Sequence, residues 1–379
     1  MAHDLKPTMR IGFDVAQTCA QRAGCAWYAD SLLRAMVEVA PENQYLVYHQ
    51  FGNWINGETA KGTSIKHPSV RMPFWGMKPD TARQMWRQIG ISEPLPGNPQ
   101  IVQSNSFQAI ETGEAKLVFV VYDVSFWVCP EFTAEANRIL CQNGVLAALT
   151  RADGFLFISE SAKNEFETVL GGWLKRNNKP AAAIPLASRL QASAQAKDGQ
   201  RFWLAVGSLE PRKNYGTLFS AIDLYWQCSK QPAPLWLASS AGWKNDELKQ
   251  AARNLEAKGR VRVLGCVDEE TLSSLYQEAL GLIFPSWYEG FGLPVLEAMQ
   301  CGCPVICSDR TSLPEVGGDA VLYVDPASPE SICEAMLTME EDPARRNAYR
   351  EAGYRRAKQF SWNRTALATL EFYRQVLES

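Results

Sequence analysis

The sequence predicts two doubly wound α/β domains, and three observations carry that prediction. Apolar strand-like runs alternate with amphipathic helical patterns, the arrangement of parallel sheets covered on both faces. The alternation halts at the polar stretch SRLQASAQAKDGQ, residues 188–200, and then restarts. At 379 residues the chain also exceeds one ordinary core and suits two of mid-range size.

The elements follow in order. MRIGFDVA reads as the first strand, AQTCAQRAGCA as a polar, Gly-containing loop, and WYADSLLRAMVEVA as a helix closed by Pro41. QYLVYHQF is the second strand. Residues 52–98, rich in Gly, Pro and Trp, read as loops with one short strand and one helix near TARQMWRQIG. Strands recur at PQIVQSN, KLVFVVYDV, GFLFISE and AAAIPLA, with helices at TAEANRILCQNGVLAALTRA and SAKNEFETVL. Beyond the polar stretch the strands are RFWLAVGSL, PLWLASS, VRVLGCV, LGLIFPSW, CPVICSD and AVLYVDP, and the tail is helical to its end. The domains expected are 1–187 and 200–355, with a linker at 188–199 and a terminal helix at 356–379. Ligands of such sheets bind beyond the carboxyl ends of the strands. The loops after VGSL, ASSA, LGCV and FPSW are therefore the ones to inspect.

Composition narrows the function. A net charge of −3 gives no global reason to expect nucleic acid. The ten cysteines form no CxxC pair and mostly lie in apolar runs, which fits packing in a reducing compartment. Cys301, Cys303 and Cys307 are read the same way rather than as a metal cluster. MAHDLKPTMR lacks an apolar signal core and no window is long enough to span a membrane, so a cytoplasmic protein is expected. His3, His49 and His67 have no neighbours at metal-ligand spacing, and neither a histidine triad nor a metal site is expected. The run RRNAYREAGYRRAK reads as a solvated helix face. Trp27, Tyr28, Trp54, Trp75, Trp86 and Trp127 read as packing.

Two stretches carry chemistry. In EGFGLPVLE, residues 289–297, Pro294 suits a first helical turn, and Gly290 and Gly292 leave the preceding amides open to a ligand. A helix start favours a phosphate. Glu289 and Glu297 would repel it at close range, so they make sense as acceptors from hydroxyls on either side of a diphosphate. A plain helix N-terminus with acidic neighbours explains the same residues. In GSLEPRKNYGTL, Arg212 and Lys213 follow a strand, where fixed cations stabilise charge building on a leaving diphosphate. The plainer alternative is a basic turn with Asn214 capping the next helix.

Together with SLPEVGGDAVLYVDP, these stretches resemble the retaining glycosyltransferases of family 4, which have the two-domain GT-B architecture. The first domain resembles them more weakly, through IGFDV, RAGCAWYADSLL, VYDVSFWVCPE and FISESAKNEF. The resemblance implies that Arg212 and Lys213 hold the diphosphate of a donor, with Gly207 also on the donor side. Glu289 would accept from the transferred sugar and Glu297 from the ribose, while the amides of Gly290, Phe291, Gly292 and Leu293 line sugar and phosphate. Gly24 would approach the phosphate from the first domain, and Ser159 and Glu160 would border the cleft. Tyr122 stands where many relatives carry histidine; it and Asp123 complete the expected catalytic set with Glu289, Arg212 and Lys213. RAGCAWY has Cys25 and Ala26 where relatives often carry a second glycine.

The expected reaction moves a hexose, with retention, from a UDP- or GDP-linked sugar to a glycan acceptor, free or lipid-linked. The enzyme would associate peripherally with the inner membrane face and need no nucleic acid and no cofactor. The absence of a DxD motif, with two cations in its place, implies metal independence. The last helices would cross back onto the first domain. Competing readings are a sugar-nucleotide epimerase or phosphorylase of the same shape, or a non-catalytic binding protein. A dinucleotide-dependent oxidoreductase would need a GxGxxG turn, which GFDVAQ and VGSLEP lack.

Overall fold

The structure is a computed structural model and describes residues 8–16, 24–55, 65–90, 92–190, 201–239 and 246–379. His3, most of the first loop (17–23), most of the linker (191–199) and residues 240–245 of the loop after ASSA lie outside the described residues. The chain divides into two compact units, Met1–Leu186 with Trp362–Ser379, and Ala187–Ser361.

The first unit is built on a parallel sheet of β1 (Arg10–Asp14), β2 (Gln44–Tyr48), β3 (Val70–Arg71), β4 (Ile101–Ser104), β5 (Lys116–Val121), β6 (Gly154–Phe157) and β7 (Ala181–Ala183). Their order is β3-β2-β1-β4-β5-β6-β7, with Ile11 opposite both Tyr45 and Ile101. β6 is buried along its whole length, which is why GFLF reads as a continuous apolar run rather than an alternating one; β4, equally buried, ends in Gln103 and Ser104. β3 and the helix Pro79–Gln88 are the strand and helix of the irregular 52–98 region. There Trp86 stacks on Phe74 at 5.2 Å and meets Tyr48 and Phe51 edge-on, while Trp75 is 57% exposed.

Strand order reverses between β1 and β4, and a buried polar network sits there. Asp14, 1% exposed, accepts from the amides of Ala16 and Asn105 (both 2.9 Å) and from Ser106 Oγ (2.5 Å). Burial outweighs these bonds and pushes its carboxyl up to about 6. The amide of Gln103 donates to Asn105 Oδ1, and Gln103 Oε1 accepts from Tyr373 Oη at 2.6 Å. Tyr373 lies on the terminal helix Trp362–Glu378, which also ties Thr365 to the carbonyl of Pro185. This helix runs so close to β6 that a Cβ on Gly154 would lie 2.6 Å from Val376.

The second unit carries a parallel sheet of β8 (Trp203–Val206), β9 (Leu235–Ala238), β10 (Val261–Gly265), β11 (Gly281–Phe284), β12 (Val305–Ser308) and β13 (Leu322–Val324). The order is β10-β9-β8-β11-β12-β13, so its reversal falls between β8 and β11. Trp203, Tyr225, Leu218, Ile222, Ile332 and Met336 belong to its buried core. The unit continues to 361, past the 355 read from the sequence, because the helix Pro343–Ala357 stays fastened to it. Arg350 Nε donates to the carbonyl of Gly302, and Arg356 donates to those of Glu315 and Val316. The basic run is thus no simple solvated face: these arginines satisfy carbonyls that close other turns. Cys301, Cys303 and Cys307 are buried, and burial raises each thiol. Among the described residues no helix is long and apolar enough to cross a membrane. Nor does any group of three His, Cys, Asp or Glu among them suit a metal ion.

Candidate active site

The reversal between β8 and β11 brings the two chemistry-bearing stretches together. β8 ends at Val206 and leads through Gly207 to the short helix Pro211–Lys213; β11 ends at Phe284 and leads to Glu289. Glu289 Oε1 accepts from Lys213 Nζ at 2.6 Å, and Oε2 accepts from Arg212 Nη1 at 2.7 Å. Arg212 also donates to the carbonyl of Tyr288 and to Glu210 Oε1. Lys213 sits over the ring of Phe284, 4.7 Å from its centre.

The sequence reading sets Glu289 and Lys213 on solvent-facing loops. The structure corrects this, for Glu289 is 7% exposed, Lys213 is 9% exposed, and the two are bonded. A buried charge requires a partner, and the cluster supplies one for each. Burial alone would raise the Glu289 carboxyl, but Arg212 and Lys213 outweigh it and hold it down to about 2. Burial depresses Lys213, Arg212 adds to that, and Glu289 opposes it.

Local backbone makes the cluster possible. Gly207 has φ +134° and Lys213 passes beneath it, so that an added Cβ would lie 3.3 Å from Lys213 Cε. Asn214 has φ +59° and does not cap the helix Tyr215–Cys228 as the sequence suggested. Its amide instead donates to the carbonyls of Pro285 and Pro326, tying the β8 turn to the loops after β11 and β13. On the other side, the amide of Glu289 donates to Thr311 Oγ1 and its carbonyl accepts from Ser312 Oγ. Glu210, Thr311 and Ser312 were not picked out as site residues, because nothing in the spacing reveals contacts across a sheet.

Gly292, φ +103°, stands at the N-cap of the helix Leu293–Gln300, with Pro294 in its first turn. A Cβ there would meet Leu313 at 2.6 Å. Gly290 is half-buried, Phe291 is buried edge-on against Phe360, and Leu293 is half-buried. Glu297, 3% exposed, is withdrawn into the protein. Its Oε1 accepts from Arg189 Nε at 2.9 Å and its Oε2 from Tyr276 Oη at 3.4 Å. Burial raises its carboxyl and Arg189 pulls against that rise.

The remaining candidates lie in the first unit. Gly24 lies in the helix Gly24–Val39, where the sequence reading has a loop, with open space where a Cβ would stand. Tyr122 is 7% exposed, its hydroxyl donates to the carbonyl of Asn105, and burial lifts it far from any neutral-pH role. Asp123 accepts from the amide and hydroxyl of Ser125, a local turn. Ser159 is the N-cap of the helix Glu160–Val169, accepting from Ala162, and Glu160 pairs with Lys163 at 3.8 Å. His49 is buried and His67 bonds Ser69, both in structural settings.

Comparison with known proteins bears on this geometry. The family model described as glycosyl transferases group 1 matches residues 188–356. The O-antigen chain mannosyltransferase B of Escherichia coli is 33% identical over 272 residues, covering 68% of this chain and 70% of that protein. The serotype-specific mannosyltransferase WbdA of Escherichia coli is 30% identical over 247 residues, 62% of this chain, which spans only 30% of that protein. Among solved structures, the sucrose-phosphate synthase of Thermosynechococcus elongatus superimposes with a TM-score of 0.72 at 19% identity, over 98% of this chain and 99% of that one. Anabaena HepE, solved with UDP and glucose, gives 0.67 at 16% identity, over 96% and 98%. These likenesses establish the GT-B fold, two Rossmann-like domains with parallel sheets.

Proposed function

This chain belongs to the glycosyl transferases group 1, and from that premise we propose that it moves a mannosyl residue from a nucleotide-diphosphate sugar to a growing glycan, with retention of configuration. Glycosyl transfer itself follows from the family. Mannose is proposed because the relatives reported above are named mannosyltransferases, one of them for an O-antigen chain. A UDP- or GDP-linked donor is proposed by chemistry and by analogy with HepE, solved with UDP. The observation that carries the proposal is the Arg212–Glu289–Lys213 cluster at the strand reversal.

In this reading Glu289 fixes the two cations in advance. One of the three Lys213 donors goes to Glu289, and the others face the diphosphate. As the bond from the anomeric carbon to the diphosphate oxygen breaks, negative charge builds on that oxygen, and cations held in place stabilise it there. The acceptor hydroxyl attacks the same face of the sugar and its proton passes to the departing phosphate oxygen, giving glycoside and nucleoside diphosphate. The amides of Gly290, Phe291, Gly292 and Leu293 line the sugar and phosphate, Gly207 clears the approach, and Glu297 takes the ribose hydroxyls. Gly24, Ser159, Glu160, Tyr122 and Asp123 keep the roles the resemblance gives them, Tyr122 by position alone. We extend the proposal to independence from metal and cofactor, and to a lipid-carried acceptor met at the inner membrane face.

The test is incubation with GDP- and UDP-linked mannose and a mannose-terminated glycan, with and without EDTA. Release of one nucleoside diphosphate and an α-linked product from an α-linked donor, both insensitive to EDTA, are expected. A melting temperature unmoved by GDP and UDP, with no release from either donor, would overturn the reading in favour of a phosphorylase or a binding protein.

A further inference from the structure

Arg189 falls in the stretch read from the sequence as linker, yet it is fastened into the second unit. Its Nε donates to Glu297 Oε1 at 2.9 Å, and the carbonyl of the next residue, Leu190, accepts from Gln300 Nε2 at 2.7 Å. Glu297 and Gln300 lie one turn apart on the helix Leu293–Gln300, so the segment is clipped along that helix at two points. Leu190 is buried and its amide donates to Ser188 Oγ, which stiffens the clip.

Glu297 is a carboxylate with 3% of its side chain exposed. A group so buried meets a ligand along one edge only, and its orientation then decides whether it can bind. A carboxylate has about four acceptor positions. Among the described residues Arg189 takes one on Oε1 and Tyr276 one on Oε2, which leaves one on each oxygen. Two acceptor positions on adjacent oxygens match the two vicinal hydroxyls of a ribose. Burial works against the charged form, and the guanidinium opposes that.

We propose that Arg189 is a positioning residue for nucleotide binding: it keeps Glu297 turned so that the two remaining acceptor positions take the ribose hydroxyls. The proposal deepens the donor reading given above and rests on the role assigned there to Glu297. No feature of the sequence pointed to it, since a lone arginine in a polar stretch carries no pattern.

The test compares binding of UDP and GDP with their 2′-deoxy analogues by calorimetry, in the intact protein and in Arg189→Met, Arg189→Lys and the double variant Arg189→Met/Glu297→Gln. The wild type should prefer the ribose form of the nucleotide it binds. Arg189→Met should narrow that preference about tenfold, the worth of one charge-assisted hydrogen bond, and Arg189→Lys should restore part of it. A purely structural role would weaken both analogues equally and leave their ratio alone. Should Arg189→Met fail to fold, Arg189→Lys carries the same comparison, and the double variant, which leaves no unpaired charge, gives the ratio expected without the Glu297 carboxylate. An unchanged ratio in the variants overturns the proposal while the transferase reading stands. A wild type that binds both forms equally removes the role of Glu297 and the proposal with it, again without touching sugar transfer. A wild type that binds neither nucleotide overturns both.

Discussion

Lys213 and Glu289, 76 positions apart in the chain, meet at 2.6 Å beyond the carboxyl ends of two adjacent strands. Both side chains are under a tenth exposed, and the same carboxylate holds Arg212 at 2.7 Å. Removing Glu289 leaves the buried Lys213 ammonium without its carboxylate, a loss of about 3–5 kcal/mol. Glu289→Ala should therefore destabilise the fold as well as abolish transfer. The double variant Lys213→Met/Glu289→Gln should lose clearly less than the sum of the single losses in urea denaturation; strict additivity would show that the pair is not coupled.

On activity, Lys213→Met should lower turnover by about a hundredfold or more, as loss of one fixed transition-state donor does. The acceptor KM should hold steady, because the proposed role of the residue is on the donor side. A rise in acceptor KM with turnover intact would reverse that assignment.

Gly207 and Asn214 carry backbone that few residues tolerate. Gly207→Ala places a Cβ at a positive φ and against the Lys213 stem, and should cost more than about 1 kcal/mol along with nucleotide affinity. Asn214→Gly keeps the left-handed turn and loses both amide bonds, whereas Asn214→Ala loses the turn as well. Alanine should be the worse by about 1–2 kcal/mol, read as a difference in unfolding free energy.

Two buried carboxylates should titrate in opposite senses. Glu289 is held down to about 2 from an ordinary 4.5, so its contribution is present above pH 4.5 and lost as pH falls toward 2. Asp14 is raised to about 6 from 3.8, so the folded state binds the extra proton and its contribution declines as pH rises through that window. Melting temperatures across pH 2–8 should show the acid limb flattened in Glu289→Gln. The gap between wild type and Asp14→Asn should shrink as pH rises from about 4 to about 6.

Much of this was legible before any coordinates. GLIF and VICS are buried at every position, so a run of apolar residues bounded by turns was enough to find β11 and β12. The segments Ser125–Val128 and Trp173–Arg176 were missed because one helical turn is too short to display a period. Arg212, Lys213 and Glu289 were found as residues, but their mutual bonding was not, since sequence distance carries no information on contacts across a strand reversal. Asn214 looked like a cap because its type and place fit one; its φ, set by the turn before it, decided otherwise.

The terminal helix has a consequence for how the molecule is made. Tyr373 closes the Gln103 network and Val376 covers Gly154, yet both are synthesised after the entire second unit. On the ribosome the second unit has all its strands while the first still lacks a wall, so the usual order of N-terminal domain first is frustrated here. The first sheet must wait with its β6 face uncovered. A fragment ending at 186 should aggregate when expressed, and one in which residues 362–379 are spliced directly after 186 should not.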